Sequence, residues 1–183
     1  MKLKTTDIVE AAGRIIIKSG TDSLSIEELA GEMGINTSLL DSYFEKDDDI
    51  LMLLLKSLEN DIKQLIIETR TVDRSPEVDL QLLFQNMHEL LKRKPYYLSI
   101  IFSTEVKEKN TGLQNALLRI KISVKTYLLE VINHGKKETV FKTRQTSRSL
   151  VNNILGSFRS FMNEQRLTAK MVKDLEILKD IKD

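Results

Sequence analysis

Apolar residues recur at helical spacing along almost the whole chain. In the first segment, Ile8, Ala12, Ile15 and Ile16 fall three or four positions apart, and Gly20 supplies a helix stop. No stretch has the composition and alternation that predict a strand. The pattern therefore predicts an all-α protein of about nine helices. The first helix covers residues 6–19. The later helices cover residues 48–70, 111–135, 144–163 and 169–181, and two more begin at residues 76 and 95, the second of them short.

Start and stop signals divide the stretch that follows the first helix. Ser25, with Glu28 three positions later, is a capping box and predicts the start of a second helix. Gly34 predicts a tight turn, and Asn36 can cap a third, short helix that ends near Tyr43. Two short helices joined by a glycine-containing turn have the geometry of a helix-turn-helix.

Composition narrows the class of protein. With 41% hydrophobic and 30% charged residues, the chain has the balance of a soluble globular protein. It has no cysteine, which excludes disulfides, thiolate metal sites and a cysteine nucleophile. The longest apolar run, Ile50–Leu55, is too short to cross a membrane, and the first residues lack a signal-peptide core. We therefore expect a cytoplasmic protein with no membrane partner.

The sequence carries no motif of a known catalytic site. A nucleophile elbow, a P-loop, a Rossmann fingerprint and a zinc-protease motif are all missing from it. Three consecutive acids, Asp47–Asp49, could suggest a metal cluster, but acids at a helix N-terminus are favoured by the helix dipole alone. We predict no catalytic residue, no metal, no cofactor and no enzyme activity.

The stretch from Ile8 to Leu51 resembles the DNA-binding domain of the tetracycline-repressor (TetR) family. The match covers about a quarter of the chain. The features at the family's spacing are Ala11-Ala12, Gly20, Leu24-Ser25, Leu29-Ala30, Met33-Gly34-Ile35, Leu40, Tyr43-Phe44 and Ile50-Leu51.

This resemblance implies two domains and a mechanism. Residues 1–46, here called the head, would be a three-helix helix-turn-helix domain. Residues 47–183, the helical domain, would bind a ligand and dimerise. The third helix of each subunit would enter a major groove of palindromic operator DNA. A small-molecule effector, whose identity the sequence leaves open, would change the spacing of the two heads. The expected function is a ligand-responsive repressor.

The resemblance also assigns DNA contacts by position. Ser25 and the N-terminus of the second helix would bind a phosphate, which exposed N–H groups and the helix dipole favour. Residues of the third helix would face base edges, and Tyr43 would touch the backbone. The predicted DNA-binding set is Ser25, Asn36, Thr37, Ser38, Leu39, Tyr43 and Lys46.

The charge of residues 1–50 opposes this assignment. Residues 1–50 hold five Lys or Arg and eleven Asp or Glu, a net charge of −6, and the remainder holds 23 basic and 16 acidic residues, a net of +7. Asp41 stands where the family usually has a tyrosine, and Asp47 where it usually has a lysine. A carboxylate ~4 Å from a phosphate costs roughly 1 kcal/mol in water and about 4 at an effective dielectric constant of 20. The alternative function is a dimeric ligand- or protein-binding protein on the same fold, without specific DNA binding.

Aromatic and apolar stripes supply the remaining predictions, although plain core would produce similar stripes. Small residues beside one stripe, Gly156, Ser157 and Ser160, would let a second copy of the chain approach closely. The predicted ligand-binding residues are Phe84, Met87, His88, Tyr97, Tyr127 and Phe158. The predicted homodimer interface comprises Leu150, Ile154, Phe158 and Phe161 in the penultimate helix and Met171, Leu175 and Leu178 in the last.

Overall fold

The computed structural model describes residues 3–70, 74–109 and 111–180, with side chains throughout except at 105, 107, 109 and 165–180. These residues form nine α-helices and one short 3-10 turn, Thr21–Ser23, so the all-α prediction is confirmed. The helices are α1 (Thr5–Ser19), α2 (Ile26–Met33), α3 (Thr37–Leu40), α4 (Asp47–Thr69), α5 (Pro76–Arg93), α6 (Tyr96–Phe102), α7 (Thr104–Lys109), α8 (Thr111–Lys137) and α9 (Ser147–Asp180).

The helix count agrees with the prediction only because two errors cancel. The short helix α7 was not predicted from the sequence. The two predicted terminal helices, 144–163 and 169–181, are wrong, because α9 continues without interruption from Ser147 to Asp180. No glycine or proline lies between residues 163 and 169, and the intervening Glu, Gln, Arg and Leu are good helix formers. Nothing in the local sequence therefore ends the helix there.

The caps expected from the sequence are present in the head. Ser25 Oγ accepts a hydrogen bond from the Glu28 N–H at 3.1 Å and begins α2. Gly34 adopts the left-handed conformation, with φ of 64°, and turns the chain toward α3. Helix α3 ends earlier than predicted, at Leu40. There the Tyr43 N–H donates a hydrogen bond to the Leu40 carbonyl, which tightens the chain into a 3-10-like turn.

One contiguous apolar core runs through the described chain. The long helices α4 and α8 lie side by side in the same direction, since Glu59 pairs with Arg119 and Arg70 with Glu130. Beneath α2 and α3, the buried side chains of Leu29, Leu40 and Phe44 join this core.

The head joins the helical domain where α1 crosses α6. Gly13 of α1 faces the ring of Tyr96, and a Cβ at that position would stand 2.5 Å from Tyr96 Cδ1. Both residues are buried. Only glycine lets the two helices approach this closely without moving the ring.

The apolar stripe of α9 faces the interior of its own chain. Leu150, Ile154 and Phe158 are half-buried and pack against the core of their own chain, and their part in a homodimer interface stays a prediction. Helical periodicity identifies an apolar face but does not tell which helix covers it. Phe161 remains exposed at 45%. The side chains of Met171, Leu175 and Leu178 lie outside the described residues.

Across the residues described, no helix has both the length and the apolar composition needed to cross a bilayer. In the same part of the chain, no cluster of His, Cys, Asp or Glu is arranged to hold a metal ion. Asp47, Asp48 and Asp49 lie in the first turn of α4, as the dipole argument expects.

Candidate nucleic-acid interface and effector region

The turn between α2 and α3 presents the start of α3 to solvent. Asn36 caps α3, since its Oδ1 accepts a hydrogen bond from the Ser38 N–H at 2.9 Å. Thr37 and Ser38 follow on the exposed first turn. Leu39, predicted to face base edges, is half-buried and packs against the core. The hydroxyls of Thr37 and Ser38 are therefore the side-chain groups of α3 best placed to meet a ligand.

Two further members of the predicted DNA-binding set flank α3. The Tyr43 side chain is 44% exposed, and its Oη accepts a weak hydrogen bond from the Leu3 N–H at 3.4 Å. Lys46 is exposed at the residue before α4. Both side chains lie on the surface, and Tyr43 also contacts the N-terminal segment at Leu3.

The surface of the head is acidic, as the charge count predicts. Glu27, Glu28, Asp41 and Glu45 are exposed on α2, α3 and the loop that follows. Arg14, a cation of α1, pairs with Glu32 of α2, with Nε and Oε1 2.6 Å apart. This ion pair reduces the positive charge that Arg14 can offer to an anion.

Two acids at the start of α4 have separate structural partners. Asp47 Oδ1 accepts a hydrogen bond from the Ile26 N–H, the first residue of α2, at 2.8 Å. Asp49 Oδ2 accepts from the N–H groups of Glu45 and Lys46, at 3.0 and 3.2 Å. Asp47 therefore ties α4 to α2, and Asp49 caps its own helix.

Four of the predicted ligand-binding residues lie along the seam between α5 and α9. The rings of Phe84 and Phe158 lie 5.2 Å apart. One turn further along α5, the His88 ring lies 6.0 Å from that of Phe161. Met87 is buried between these positions in sequence. The structure thus brings Phe84, Met87, His88 and Phe158 into one region.

Tyr97 belongs to a different polar cluster. Its buried Oη donates to Asp61 Oδ2 at 2.7 Å and lies 2.9 Å from Ser57 Oγ, both on α4. Lys94 Nζ also binds Asp61 Oδ2 at 2.7 Å. Burial raises the pKa of the Tyr97 hydroxyl far above its ordinary value, so this group remains a hydrogen-bond donor. These contacts fasten α6 to α4.

Tyr127 of α8 lies near the C-terminal end of α4, and Asp79 of α5 is a second buried polar residue. Each has an oxygen shielded from solvent, Tyr127 Oη and Asp79 Oδ1, for which the described part of the chain supplies no hydrogen-bond partner. Burial raises the pKa of the Asp79 carboxyl, against the opposing charges of Arg74 and His134. Burial likewise raises the pKa of Tyr127. The Arg70 guanidinium lies 5.6 Å from the Tyr127 ring centroid.

Comparison with known proteins bears on the whole architecture. No protein-family model and no curated protein sequence matches the chain. Solved structures, in contrast, match it over most of its length. The fatty acid degradation regulator FadR from Bacillus halodurans aligns with a TM-score of 0.77 at 17% identity, over 92% of this chain and 88% of its own.

Two more structures give the same result. FadR from Bacillus subtilis, in complex with stearoyl-CoA, has a TM-score of 0.76 at 19% identity, over 91% of this chain and 89% of its own. A TetR transcription regulator from Haloarcula marismortui has a TM-score of 0.73 at 25% identity, over 96% and 90%.

This chain has the TetR-family fold. The resemblance carried by residues 8–51 is therefore confirmed at the level of architecture, and it extends well beyond the head.

Sequence reasoning missed one buried carboxyl group and two polar contacts on this TetR-family scaffold. Asp79 left a signal, because it lies four and eight residues before the buried Leu83 and Met87 and so shares their face of α5. The binding of Asp61 by Tyr97, and of Ile26 by Asp47, left none. Each joins residues that are separated by more than 20 positions and that only the fold brings together.

Proposed function

We propose that this chain is a ligand-responsive transcriptional repressor of the TetR type, which binds palindromic operator DNA as a homodimer in the cytoplasm and has no enzymatic activity. One observation carries the proposal: a capped helix-turn-helix presents Thr37 and Ser38 on the first turn of α3, within a fold shared along nearly the whole chain with transcription regulators.

The proposed contacts follow from exposure. Thr37 and Ser38 would read base edges through their hydroxyls, and Asn36 would set the angle of α3. Tyr43 and Lys46 would contact the phosphate backbone, as would the N-terminus of α2 beside Ser25. Leu39 is half-buried, so only the exposed part of its apolar side chain would contact DNA.

An electrophoretic mobility shift with DNA from upstream of the protein's own gene tests this function. We expect a specific complex that survives unlabelled random DNA. Changing Thr37→Ala together with Ser38→Ala should abolish the specific complex and leave the nonspecific one, because phosphate contacts remain. The matched control is Thr126→Ala with Ser149→Ala, exposed hydroxyls far from the head in sequence. Specific binding unaffected by the α3 changes would contradict the proposal.

The proposed effector site lies in the helical domain. Phe84, Met87, His88 and Phe158 would contact an apolar part of the effector, and Tyr127, with Asp79, would hold a polar part. Tyr97 would act by holding α6 against α4. The stearoyl-CoA bound by FadR from B. subtilis supports an effector with a long apolar portion. A thermal-shift screen of fatty acyl compounds tests this, with Phe84→Asp expected to remove any stabilisation.

Exposed apolar residues support the proposed homodimer. Leu118 and Ile122 of α8 are 50% and 52% exposed, Phe161 of α9 is 45% exposed, and the outer face of α9 carries Gly156 and Ser160. A partner's helices could pack closely there. Sedimentation should give twice the 21.0 kDa monomer mass. Leu118→Lys with Ile122→Lys should give monomers, whereas Ile67→Lys, on another exposed apolar residue, should not. A monomeric wild type would contradict the proposal.

A second function is favoured by the acidic surface of the head. Glu27, Glu28, Asp41 and Glu45 are exposed there, and Arg14 is paired with Glu32. On this alternative, the chain is a helical dimer that binds a ligand or a protein and has lost specific DNA binding. The mobility-shift experiment separates the two functions, since only the repressor forms a specific complex.

A further inference from the structure

The N-terminus of α2 is occupied by an acid from elsewhere in the chain. The first N–H groups of a helix have no partners within it, and the helix dipole favours an anion beside them. Here the Ile26 N–H donates to Asp47 Oδ1 at 2.8 Å, and the Glu28 N–H donates to Ser25 Oγ at 3.1 Å. One of these acceptors carries a full negative charge.

The same N–H groups are where the proposed function places a DNA phosphate. A phosphate oxygen and the Asp47 carboxylate cannot accept from the Ile26 N–H in the same position, and the two anions repel each other. We propose that Asp47 is an internal competitor for the DNA phosphate, so that a phosphate reaches the N-terminus of α2 only when the Asp47 carboxylate is displaced. The consequence for DNA rests on the proposed function, but the occupancy itself does not.

The start of α4 does not depend on Asp47. Asp49 already binds the N–H groups of Glu45 and Lys46 and so caps α4. The Asp47 side chain is exposed, and rotating it away breaks one solvent-accessible hydrogen bond. Displacement of Asp47 by a phosphate is therefore compatible with an intact fold. Competition by Asp47 determines how much affinity for phosphate remains at the N-terminus of α2.

Titration with inorganic phosphate at constant ionic strength tests the occupancy without DNA. The readout is the backbone amide resonance of Ile26 in the full-length protein. We expect saturable movement in Asp47→Ala, little in the wild type, and an intermediate response in Asp47→Asn, whose amide oxygen still accepts the hydrogen bond. Equal movement in the wild type and Asp47→Ala, or none in either, would overturn the inference. Asp47→Asn keeps the acceptor and so provides a reading if Asp47→Ala folds poorly.

Binding to a random-sequence duplex, measured by fluorescence anisotropy, tests the consequence. Asp41→Ala is the matched control, because it removes the same charge from an exposed site at the end of α3 without touching α2. We expect Asp47→Ala to tighten binding several-fold more than Asp41→Ala does. Equal tightening would mean that only net charge matters and would overturn the competition. If no variant binds DNA while the phosphate titration behaves as expected, the occupancy stands and the proposed function fails.

Discussion

The helix N-termini of the head differ from two buried side chains of the helical domain in how their polar groups are satisfied. At the helix N-termini of the head, N–H groups are satisfied by the side chains of Ser25 and Asn36 and, from the start of α4, by Asp47. In the helical domain, Asp79 and Tyr127 are buried with oxygens that no described residue satisfies. Caps of the first kind hold a fold together, whereas a buried polar atom without a protein partner costs stability. On the proposed function, the capped helices hold the head rigid, and Asp79 and Tyr127 would bind the polar part of an effector.

The N-terminal region and the remainder of the chain also differ in net charge. Residues 1–50, the head and the first turn of α4, carry the acidic excess, and the remainder of the chain carries 23 basic residues against 16 acidic ones. A nucleic-acid-binding module ordinarily has the reverse asymmetry. On the proposed function, the acidic surface of the head would limit how tightly it binds DNA.

The largest expected effect lies at the joint between the two regions. Gly13→Ala should destabilise the protein by about 1–3 kcal/mol, because the new Cβ would stand 2.5 Å from the Tyr96 ring. Gly31→Ala on α2, which meets open space, should instead stabilise it by about 1 kcal/mol. Chemical denaturation measures both. The penalty at Gly13 should vanish in a Tyr96→Ala background, and its persistence there would refute the steric explanation.

A pair of tyrosines sharpens the contrast in polar groups. Tyr127→Phe should stabilise the unliganded protein by about 1 kcal/mol, because it removes a buried hydroxyl without a protein partner. Tyr97→Phe should destabilise it by about the same amount, because that hydroxyl binds Asp61 and Ser57. Unfolding free energies of the two variants should therefore change in opposite directions. Destabilisation by both would show that Tyr127 contributes to the fold like any other buried hydroxyl.

The burial of Asp79 should also make the stability of the protein depend on pH, and this effect should be smaller than those of the substitutions above. The pKa of Asp79 is raised by burial, so its contribution to stability is full below the ordinary value of 3.8 and is lost as pH rises through the folded-state pKa. Asp79→Asn should therefore stabilise the protein at neutral pH, by about 1 kcal/mol, and less near pH 3.8. Equal stabilisation at both pH values would argue against a titrating Asp79.

Glu59 is the control for this measurement. Its pKa is lowered, chiefly by the hydrogen bond from Lys63 and also by Arg119, so its contribution is present above 4.5 and is lost as pH falls through the folded-state pKa. Glu59→Gln should destabilise the protein at neutral pH by at most about 1 kcal/mol. The effect of Glu59→Gln on stability should also become smaller in acid. It is a destabilisation, whereas the effect of Asp79→Asn is a stabilisation.

Local sequence patterns predicted most of the fold but not the long-range polar contacts of the helical domain. Ser25, Gly34 and Asn36 act within three residues of themselves, so the helix-turn-helix could be predicted from adjacent positions. The stripe of Leu150, Ile154 and Phe158 was correctly predicted to be an apolar face, but its partner is the chain's own core. Contacts such as Tyr97 with Asp61 depend on how helices cross, which periodicity does not encode.

The most direct test of the central claim, a TetR-type DNA-binding head weakened by its own acids, is a DNA titration at several salt concentrations. The slope of log affinity against log salt reports the phosphates neutralised, at roughly 0.9 per phosphate. We predict weak binding with a shallow slope for the wild type, and tighter binding with a steeper slope for Asp41→Tyr combined with Asp47→Lys. Wild-type affinity on the order of nanomolar for a palindrome, with a slope as steep as that of the double variant, would contradict the account.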